Sequence, residues 1–269
     1  MKKVRAVFMN NLCIVAKNEE TYFIKRLSDE ATQEIIFFNP WSRQTLPEAS
    51  AYLIRTSGIY GDDQDLEILE TISEKKCFNS LRTLKMFRDK VTQFQFFAQL
   101  GIPCIPWCDL RIQLPQVDPN QSYLVKPVRG QGGWGIQILE GHSVEGWMQE
   151  QRLKNDLSYV LQPFLQNRNE YRYFFIGDKT ITLKRLPQKN VMANFTQGGE
   201  AELSSLSVEV ETMLKKLIKA SGAYYGAIDL FVQGPEVHIL ELNVVPGIEQ
   251  LEKVSGENIA KIILGNLVG

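Results

Sequence analysis

Two carboxylates and one amide in the C-terminal part of the chain have the residue types and spacing of a magnesium site. Glu241 and Asn243 stand two residues apart at the end of the apolar run 237–240, so a β-strand would point both side chains to one face. Asp229 lies in a second apolar run, residues 225–231. If the two strands are neighbours, the three side chains converge, and carboxylate and amide oxygens are ligands that Mg²⁺ prefers. The sequence therefore predicts a site for one or two metal ions, of a kind that suits nucleotide phosphate chemistry.

A glycine-rich segment, residues 129–135, is the second feature suited to phosphate chemistry. It lies between the strand-like runs 123–126 and 136–139, so we expect a β-hairpin with a mobile tip. Glycines allow the backbone to approach phosphates closely. The segment lacks the Walker pattern and no helix is expected after it, which argues against a P-loop and a dinucleotide-binding fingerprint. The segment is either an ordinary hairpin or a loop that covers phosphates.

Two lysines could serve as phosphate-binding point charges. Lys126 directly precedes the glycine-rich segment in a strand-like run, and Lys90 lies beside a helix that is otherwise devoted to core packing. The alternatives are a solvated strand lysine for Lys126 and an ordinary surface lysine for Lys90.

Charged residues also enter the β-rich stretches further along the chain. By alternation Glu170 and Arg172 would share one face of a strand, and Arg185 ends the next strand-like run. They form either an ion-paired, exposed sheet face or a site in which Glu170 binds ribose and Arg172 or Arg185 stabilises a transferring phosphoryl group. The segment 194–199 is either a simple loop or a source of one amide and two backbone N–H groups for phosphate or substrate.

Composition argues against several classes of protein. The chain has 269 residues, 44% of them hydrophobic, and a formal net charge of -1, so we expect two or three interlocked lobes and no nucleic-acid partner. The apolar runs are too short to span a bilayer, and the N-terminal residues lack a signal-peptide pattern. Four cysteines without the spacing of a disulfide framework indicate a reducing cytoplasm. Two histidines give little support for zinc or histidine-based chemistry, and by alternation His238 would face away from Glu241.

The elements that must position these residues can be placed coarsely. Strand-like runs near the N-terminus occur at 4–9, 35–38 and 52–54. With a helix-like stretch at 20–28 they indicate a small parallel α/β unit. Apolar spacing predicts one helix over 79–99, which Gly101 ends. A further helix begins after Ser207 and ends at Gly222, directly before the two acidic strands.

Three motifs occur in an order that is typical of one known family. They are Arg88-Asp89-Lys90, Asn194-x-x-x-Gly198-Gly199, and the run from Glu241 through Gly256 to Ile259-Ala260. With them the chain resembles the ATP-grasp superfamily, and within it the RimK-like carboxylate–amine ligases, over nearly its whole length. The resemblance implies an α/β chain in which two α+β lobes grip ATP beside an N-terminal Rossmann-like domain. The implied bounds are 1–80 for this pre-ATP-grasp domain, 81–161 for the N-terminal lobe with its lid hairpin, and 162–269 for the C-terminal lobe with the metal site.

The resemblance also implies a role for each candidate residue. The residues implied to bind ATP phosphates are Lys90, Lys126, Gly132 and Gly133. Adenine would lie against Gln162, Pro163, Phe164 and Leu165, read through backbone groups of Pro163 and Phe164, and ribose against Glu170. Two Mg²⁺ or Mn²⁺ ions would bind Asp229, Glu241 and Asn243, with Glu241 shared. The implied catalytic residues are Arg185 at the γ-phosphoryl group, Asn194, and Gly247 through a backbone N–H that could help an oxyanion. The implied substrate-binding residues are Arg55, Tyr60, Arg172, Gly198 and Gly199.

The implied activity is ADP-forming amide synthesis in the cytoplasm. ATP would phosphorylate a small-molecule carboxylate, and the amine of glutamate, another amino acid or a peptide would attack the acyl phosphate. Met192 and Gln197 stand where the family pattern often has basic residues, which favours an acceptor with fewer carboxylates than glutamate. The alternatives are a ligase that makes a specialised dipeptide or modifies a peptide, and a nucleotide-binding regulatory module without turnover. No nucleic acid or membrane is an expected partner, and the chain could form a homo-oligomer.

Overall fold

The structure is a computed structural model that describes residues 11–19, 21–42, 44–56, 64–72, 77–130, 132–165, 169–186 and 200–267. The predicted strand at 4–9 lies outside this range, as do the candidate residues Tyr60, Asn194, Gly198 and Gly199. None of the helices in the described ranges combines the length and the apolar character that crossing a membrane requires.

The N-terminal part is a parallel α/β unit, as its alternating patterns predict. Its elements in chain order are β1 (Asn11–Val15), α1 (Tyr22–Glu30), β2 (Glu34–Phe38), β3 (Ala51–Ile54), α2 (Gln64–Leu69) and β4 (Cys77–Phe78). The strands are parallel and lie in the order β2-β1-β3-β4. Helix α1 begins after Thr21, whose hydroxyl accepts a hydrogen bond from the Ile24 N–H at 3.3 Å.

A second group of elements builds a small antiparallel sheet with one covering helix. The elements are α3 (Leu81–Phe87), α4 (Lys90–Gln99), β5 (Cys108–Asp109), β6 (Ser122–Pro127), β7 (Gln137–Glu140), α5 (Gly141–Leu153) and β8 (Tyr159–Pro163). The strand order is β5-β8-β6-β7. A hydrophobic cluster that includes Val125, Leu161 and Met148 joins this sheet to α5.

The single helix predicted over 79–99 is wrong, because the structure has two helices there, α3 and α4. The break lies at Arg88 and Asp89, where Asp89 leaves the helical conformation and its carboxylate accepts a hydrogen bond from the Thr92 N–H at 3.0 Å. Because the apolar spacing continues across the break, the sequence pattern did not indicate that Asp89 caps a second helix. The consequence is that Lys90 becomes the first residue of a helix.

A larger antiparallel sheet forms the C-terminal part. Its elements are β9 (Asn169–Ile176), β10 (Lys179–Arg185), β11 (Ala201–Ser204), α6 (Val208–Ser221), β12 (Tyr225–Gln233), β13 (Glu236–Asn243), α7 (Glu249–Ser255) and α8 (Ile259–Leu267). The strand order is β11-β10-β9-β12-β13. The bounds predicted for α6 are confirmed, since the Ser207 hydroxyl accepts a hydrogen bond from the Val210 N–H at 3.4 Å and Gly222 ends the helix with φ +67°.

One hydrophobic core runs through all three parts. A single cluster contains Val15 and Ile54 of the first sheet, Phe94 of α4, and Ile228 and Leu242 of the large sheet. Each of these side chains is at most 1% exposed. The sheets and helices that carry the candidate site are therefore packed on a shared interior.

The Cys13 thiol makes the stability of this interior depend on pH. Cys13 lies in the central strand β1 of the first sheet and is fully buried, and burial raises its pKa from 9.0 to about 12. An unfolded chain releases this proton near pH 9, whereas the folded chain retains it to about pH 12. We therefore expect the free energy of unfolding to fall as pH rises above 9, by at most about 1.4 kcal/mol per pH unit from this group.

Urea unfolding of the wild type and of Cys13→Ala, at several pH values from 8 upward, measures this effect. We expect the variant to be less stable at pH 8 because it leaves a cavity, but to lose less stability on going to higher pH. Identical slopes against pH in the two proteins would contradict the prediction.

Candidate active site

The three predicted metal ligands share one face of a strand pair. Strands β12 and β13 are antiparallel, with Asp229 opposite Glu241 and Ala227 opposite Asn243. Residues directly opposite each other point to the same side of a sheet, and so do residues two apart in one strand. The register therefore places the three side chains on one face of the sheet, and their role as metal ligands stays a prediction. The Asn243 side-chain oxygen also accepts a hydrogen bond from the Val245 N–H at 2.9 Å, which fixes the orientation of its amide.

A β-bulge lies beside these ligands and corrects the prediction for His238. The register shifts after Asp229, which pairs with Glu241, whereas Leu230 pairs with Ile239, so Leu240 is the extra residue. His238 consequently pairs with Phe231 and stacks on its ring at 4.9 Å. Because Phe231 and Asp229 share a face, His238 lies on the same side as Glu241. The prediction that His238 faces away was wrong because alternation fails across a bulge.

Arg172 lies across from Asp229 on the neighbouring strand β9 and binds it through both carboxylate oxygens. The Nε–Oδ1 and Nη2–Oδ2 distances are both 2.6 Å. The two side chains are only 15% and 22% exposed. Burial disfavours the charged guanidinium, but the carboxylates of Asp229, Glu241 and Glu170 outweigh it and raise the pKa of Arg172. Arg172 is therefore charged and lies within the field of three acids.

A second ion pair joins Arg185 to Glu170 on the same face. Their Nη1–Oε2 distance is 2.6 Å, and the side chains are 15% and 18% exposed. The alternative of an exposed, ion-paired sheet face is correct about the ion pairing but not about the exposure, because the paired charges are largely shielded from solvent. The result is a row of four alternating charges on the sheet that carries the predicted metal ligands, the type of surface that can bind a phosphorylated ligand.

Both candidate lysines are buried, unlike the surface lysines that were the alternative. Lys126 in β6 is 8% exposed and lies opposite Val160 of β8. Lys90 is 7% exposed, and its ammonium group donates to the Gly130 carbonyl at 3.1 Å. Lys90 thus reaches the start of the glycine-rich segment from the helix α4. Buried lysines of this kind need anionic or carbonyl partners, which is consistent with a site for phosphates.

The glycine-rich segment connects β6 and β7, which are antiparallel as predicted. Gly132, Gly133 and Gly135 all have positive φ, at 66°, 79° and 74°. At Gly135 a β-carbon would approach Pro127 to 2.7 Å, so only glycine fits there without displacement. Residues 132–135 therefore present backbone rather than side chains, apart from Trp134, which is 77% exposed.

The segment predicted to bind adenine, residues 162–165, includes the last two residues of β8 and the two that follow. The Phe164 N–H already donates to the Ser122 carbonyl at 2.9 Å, and Pro163 has no N–H, so these two residues can offer only carbonyls. A backbone donor for adenine would have to come from Leu165. Gln162 is 1% exposed, and its side-chain oxygen has no hydrogen-bond partner among the described residues.

Arg55 lies at the end of β3 and contacts the turn after β13 rather than an open surface. Its Nη1 donates to the Pro246 carbonyl at 2.8 Å and to the Tyr225 hydroxyl at 3.2 Å. Its guanidinium lies over the Phe23 ring at 3.8 Å. Gly247 follows Pro246 and is exposed, and a β-carbon there would meet nothing within 4 Å. The turn from Asn243 to Gly247 is thus anchored by the N-terminal unit.

Sequence reasoning missed two polar residues that hold β12 and β13, the strands of the predicted metal ligands. Gln93 of α4 is 2% exposed, and its side-chain oxygen accepts from the N–H of Leu242, the residue between Glu241 and Asn243, at 3.0 Å. Asn79 has φ +56°, and its amide nitrogen donates to the Tyr225 and Val244 carbonyls at 2.6 and 2.7 Å. The available signal was polarity within apolar surroundings, which does not reveal a partner so distant in the sequence.

The sequence pattern of the RimK-like ATP-grasp domain matches residues 107–267. This range is more than half of the chain. The chain belongs to the RimK-like ATP-grasp family. The predicted resemblance is thereby confirmed, and the match includes the strands that carry Asp229, Glu241 and Asn243.

Relatives of this family member include proteins named as ligases. A probable alpha-L-glutamate ligase of Pasteurella multocida (strain Pm70) is 32% identical over 193 residues, which is 68% of this chain and 61% of that protein. The match thus spans less than two thirds of the relative's length. D-alanine–D-alanine ligase from Bacillus anthracis has a similar structure, with a TM-score of 0.72, 16% identity, and coverage of 97% of this chain and 96% of that one.

Another similar structure is the ATP-grasp ligase PsnB complexed with minimal precursor. Its TM-score is 0.70 with 17% identity, and the match covers 96% of this chain and 97% of that one. At these identities the two solved structures establish the fold. The RimK-like ATP-grasp chain described here therefore has the ATP-grasp fold that its sequence predicts, with α+β lobes.

Proposed function

We propose that this chain is an ATP-dependent carboxylate–amine ligase that forms an amide through an acyl phosphate and releases ADP. The observation that carries the proposal is the register of β12 and β13, which places Asp229 opposite Glu241 beside the Arg172 and Arg185 ion pairs. The four shielded charges of these ion pairs and the buried lysines Lys90 and Lys126 are costly to a fold that binds no charged ligand, which supports a site for phosphates. The family relationship and the relative named as a glutamate ligase support the same activity.

The donor set fits two divalent ions. Asp229, Glu241 and Asn243 supply only oxygens, the ligands of a hard cation such as Mg²⁺ or Mn²⁺. The Asn243 oxygen retains a second lone pair beyond its bond to Val245, whereas Asp229 must share its oxygens with Arg172. When bound, such ions would neutralise negative charge on ATP phosphates. We propose that two ions bind and that Mg²⁺ is preferred.

We assign each of the other candidate residues to the binding of either the nucleotide or the substrate. In the proposal Lys90, Lys126 and the backbone at Gly132 and Gly133 bind phosphates. Gln162 to Leu165 bind adenine, and Glu170 turns from Arg185 to the ribose hydroxyls. Arg185, no longer paired with Glu170, then stabilises the charge on the phosphoryl group during its transfer. The reaction needs no covalent enzyme intermediate. Arg172, Tyr60, Gly198 and Gly199 bind substrate, and Asn194 assists at the reacting end.

Two observations bear on the identity of the acceptor amine. A relative named for alpha-L-glutamate supports glutamate, whereas Met192 and Gln197 in place of basic residues favour an acceptor with fewer carboxylates. The four free cysteines suit work in a reducing cytoplasm. A small-molecule carboxylate is the proposed partner of the amine.

A hydroxylamine trap tests the ligase activity. Wild-type protein with ATP, Mg²⁺, hydroxylamine and a panel of carboxylates should yield a hydroxamate and ADP with at least one of them, because hydroxylamine intercepts an acyl phosphate. Lys126→Met should abolish both products, whereas Lys219→Met, on the exposed last turn of α6, should not. A stable phosphorylated product that needs no amine would refute the ligase, and the absence of ADP with every carboxylate would favour the regulatory module.

The glycine-rich segment should be protected by nucleotide. We expect slower amide hydrogen exchange at residues 132–135 after addition of Mg²⁺ with a non-hydrolysable ATP analogue, because the backbone there would contact phosphates. Helix α6 serves as an internal reference whose exchange should not change. Equal exchange at 132–135 with and without the analogue would return this segment to an ordinary hairpin.

A further inference from the structure

Two side chains bind the same backbone carbonyl, that of Pro246. The Tyr225 hydroxyl donates to it at 2.5 Å and Arg55 Nη1 donates to it at 2.8 Å. Arg55 Nη1 also lies 3.2 Å from the Tyr225 oxygen. A tyrosine has one O–H, which is used on Pro246, so its oxygen accepts the bond from Arg55. We call Arg55 and Tyr225 together the Pro246 clamp.

The clamped carbonyl belongs to the peptide unit whose other end is the Gly247 N–H. A peptide unit is planar and almost always trans, so its carbonyl and its N–H point in opposite directions. Whatever fixes the Pro246 oxygen therefore fixes the direction of the Gly247 N–H. Gly247 itself is exposed, and among the described residues an added β-carbon would meet nothing within 4 Å, so the space beside it is open.

The charge of Arg55 is unusual for a structural residue. Within the described ranges its guanidinium donates to the Tyr225 and Pro246 oxygens, neither of which belongs to a carboxylate. Burial lowers the pKa of Arg55, and a shielded cation without an anionic partner is costly. Hydrogen bonds from a cation to a carbonyl polarise the whole peptide and strengthen its N–H as a donor. The cost of burying this charge is thus offset by its hydrogen bonds to the Pro246 carbonyl and the Tyr225 hydroxyl rather than by an ion pair.

We propose that Arg55 and Tyr225 are positioning residues that aim and polarise the Gly247 N–H as a donor to the oxyanion formed during acyl transfer. This inference rests on the proposed ligase function. In this inference Arg55 acts on the substrate through the Pro246–Gly247 peptide, instead of through the direct contact that was predicted for it. The same turn begins at the metal ligand Asn243, so the clamp also sets the distance between the metal site and the oxyanion donor.

The turn is fixed at its other end by Asn79. Its amide nitrogen donates to the Val244 carbonyl at 2.7 Å, and its oxygen accepts from the Tyr224 and Tyr225 N–H groups at 2.9 and 3.2 Å. Asn79 therefore ties the start of β12, which carries Tyr225, to the turn that Tyr225 clamps. This leaves the Pro246–Gly247 peptide as the part of the turn whose orientation depends on the clamp.

One labelled peptide can report on the clamp directly. The Pro246–Gly247 pair is the only proline followed by glycine in the sequence. Protein labelled with ¹³C at proline carbonyls and ¹⁵N at glycines should therefore give a single cross peak in an HNCO spectrum. Tyr225→Phe and Arg55→Met should each move this peak, with the carbonyl shift changing in the direction of a lost hydrogen bond. Tyr224→Phe is the matched control, because its hydroxyl bonds Asn266 instead.

Turnover gives the second readout, with the carboxylate found by the hydroxylamine trap. Tyr225→Phe should lower kcat about tenfold, less than the loss of an oxyanion donor, and leave the KM for ATP within about twofold. A purely structural role would not separate kcat from KM in this way. Tyr224→Phe should change neither.

The outcomes separate the clamp from the ligase. A cross peak that stays in place in Tyr225→Phe, or one that moves while kcat is unchanged, would overturn the positioning role. A wild type that forms no hydroxamate would instead overturn the ligase function and with it the catalytic purpose of the clamp. In that case the cross peak would still decide whether Arg55 and Tyr225 hold the peptide.

Discussion

Glu241→Gln is expected to lower turnover about a hundredfold or more while leaving the free energy of unfolding nearly unchanged. In the proposed site Glu241 is shared by both metal ions, and loss of a charge that organises a phosphoryl group costs several kcal/mol, where about 1.4 kcal/mol is tenfold in rate. Glutamine has the same size, and the Arg172–Asp229 pair opposite remains intact. ADP release at saturating Mg²⁺ measures the first effect, and urea unfolding measures the second.

The matched control is Glu236→Gln, the same substitution in the same strand. Glu236 is 71% exposed and lies at the far end of β13, so its loss should leave turnover at the wild-type level. Turnover near wild type in Glu241→Gln at saturating Mg²⁺ would remove Glu241 from the site.

Asp229→Asn is expected to lose both turnover and stability. Asparagine removes the charge that compensates Arg172, and an unpaired shielded guanidinium is costly. Breaking a fully buried pair costs about 3–5 kcal/mol, and because these side chains are 15% and 22% exposed we expect about 1–3 kcal/mol. Chemical denaturation of the two proteins measures the loss, and ADP release should fall at least as far as in Glu241→Gln.

A double variant separates these two effects. Asp229→Asn with Arg172→Met removes both charges, so it should recover part of the lost stability without recovering turnover. If Asp229→Asn were as stable as the wild type, the ion pair would not hold β9 to β12 as described. If the double variant were active, Asp229 would not be a metal ligand.

The part of the site that follows from local geometry could be predicted from the sequence. Alternation correctly placed Glu241 and Asn243 on one face and Glu170 and Arg172 on another strand's face, because a period of two survives wherever a strand is regular. The same rule failed for His238, since the bulge at Leu240 adds a residue that no local pattern marks. The break at Asp89 was also missed because apolar spacing continues through it.

The rest of the site depends on contacts between residues that are far apart in the sequence. The bond from Arg55 to Pro246 joins positions 191 apart in the sequence, and that from Leu242 to Gln93 joins positions 149 apart. Side-chain hydrogen bonds of this range depend on how the lobes pack, which neither propensity nor spacing determines. This is why the contact between Arg55 and Pro246 was not predicted and Gln93 was not singled out at all.

The hydrophobic cluster that runs from β1 to β13 bears on how the chain can be divided. Leu84 and Phe94 from the two helices belong to the same buried cluster as Val15 of β1 and Leu242 of β13, so each part contributes side chains to a shared interior. A fragment that starts after β4 would expose these helices to water, and a fragment that stops before β9 would leave them half covered. The three parts should therefore unfold in one cooperative transition, and the ligand sites on the large sheet should share the stability of the N-terminal unit that does not carry them.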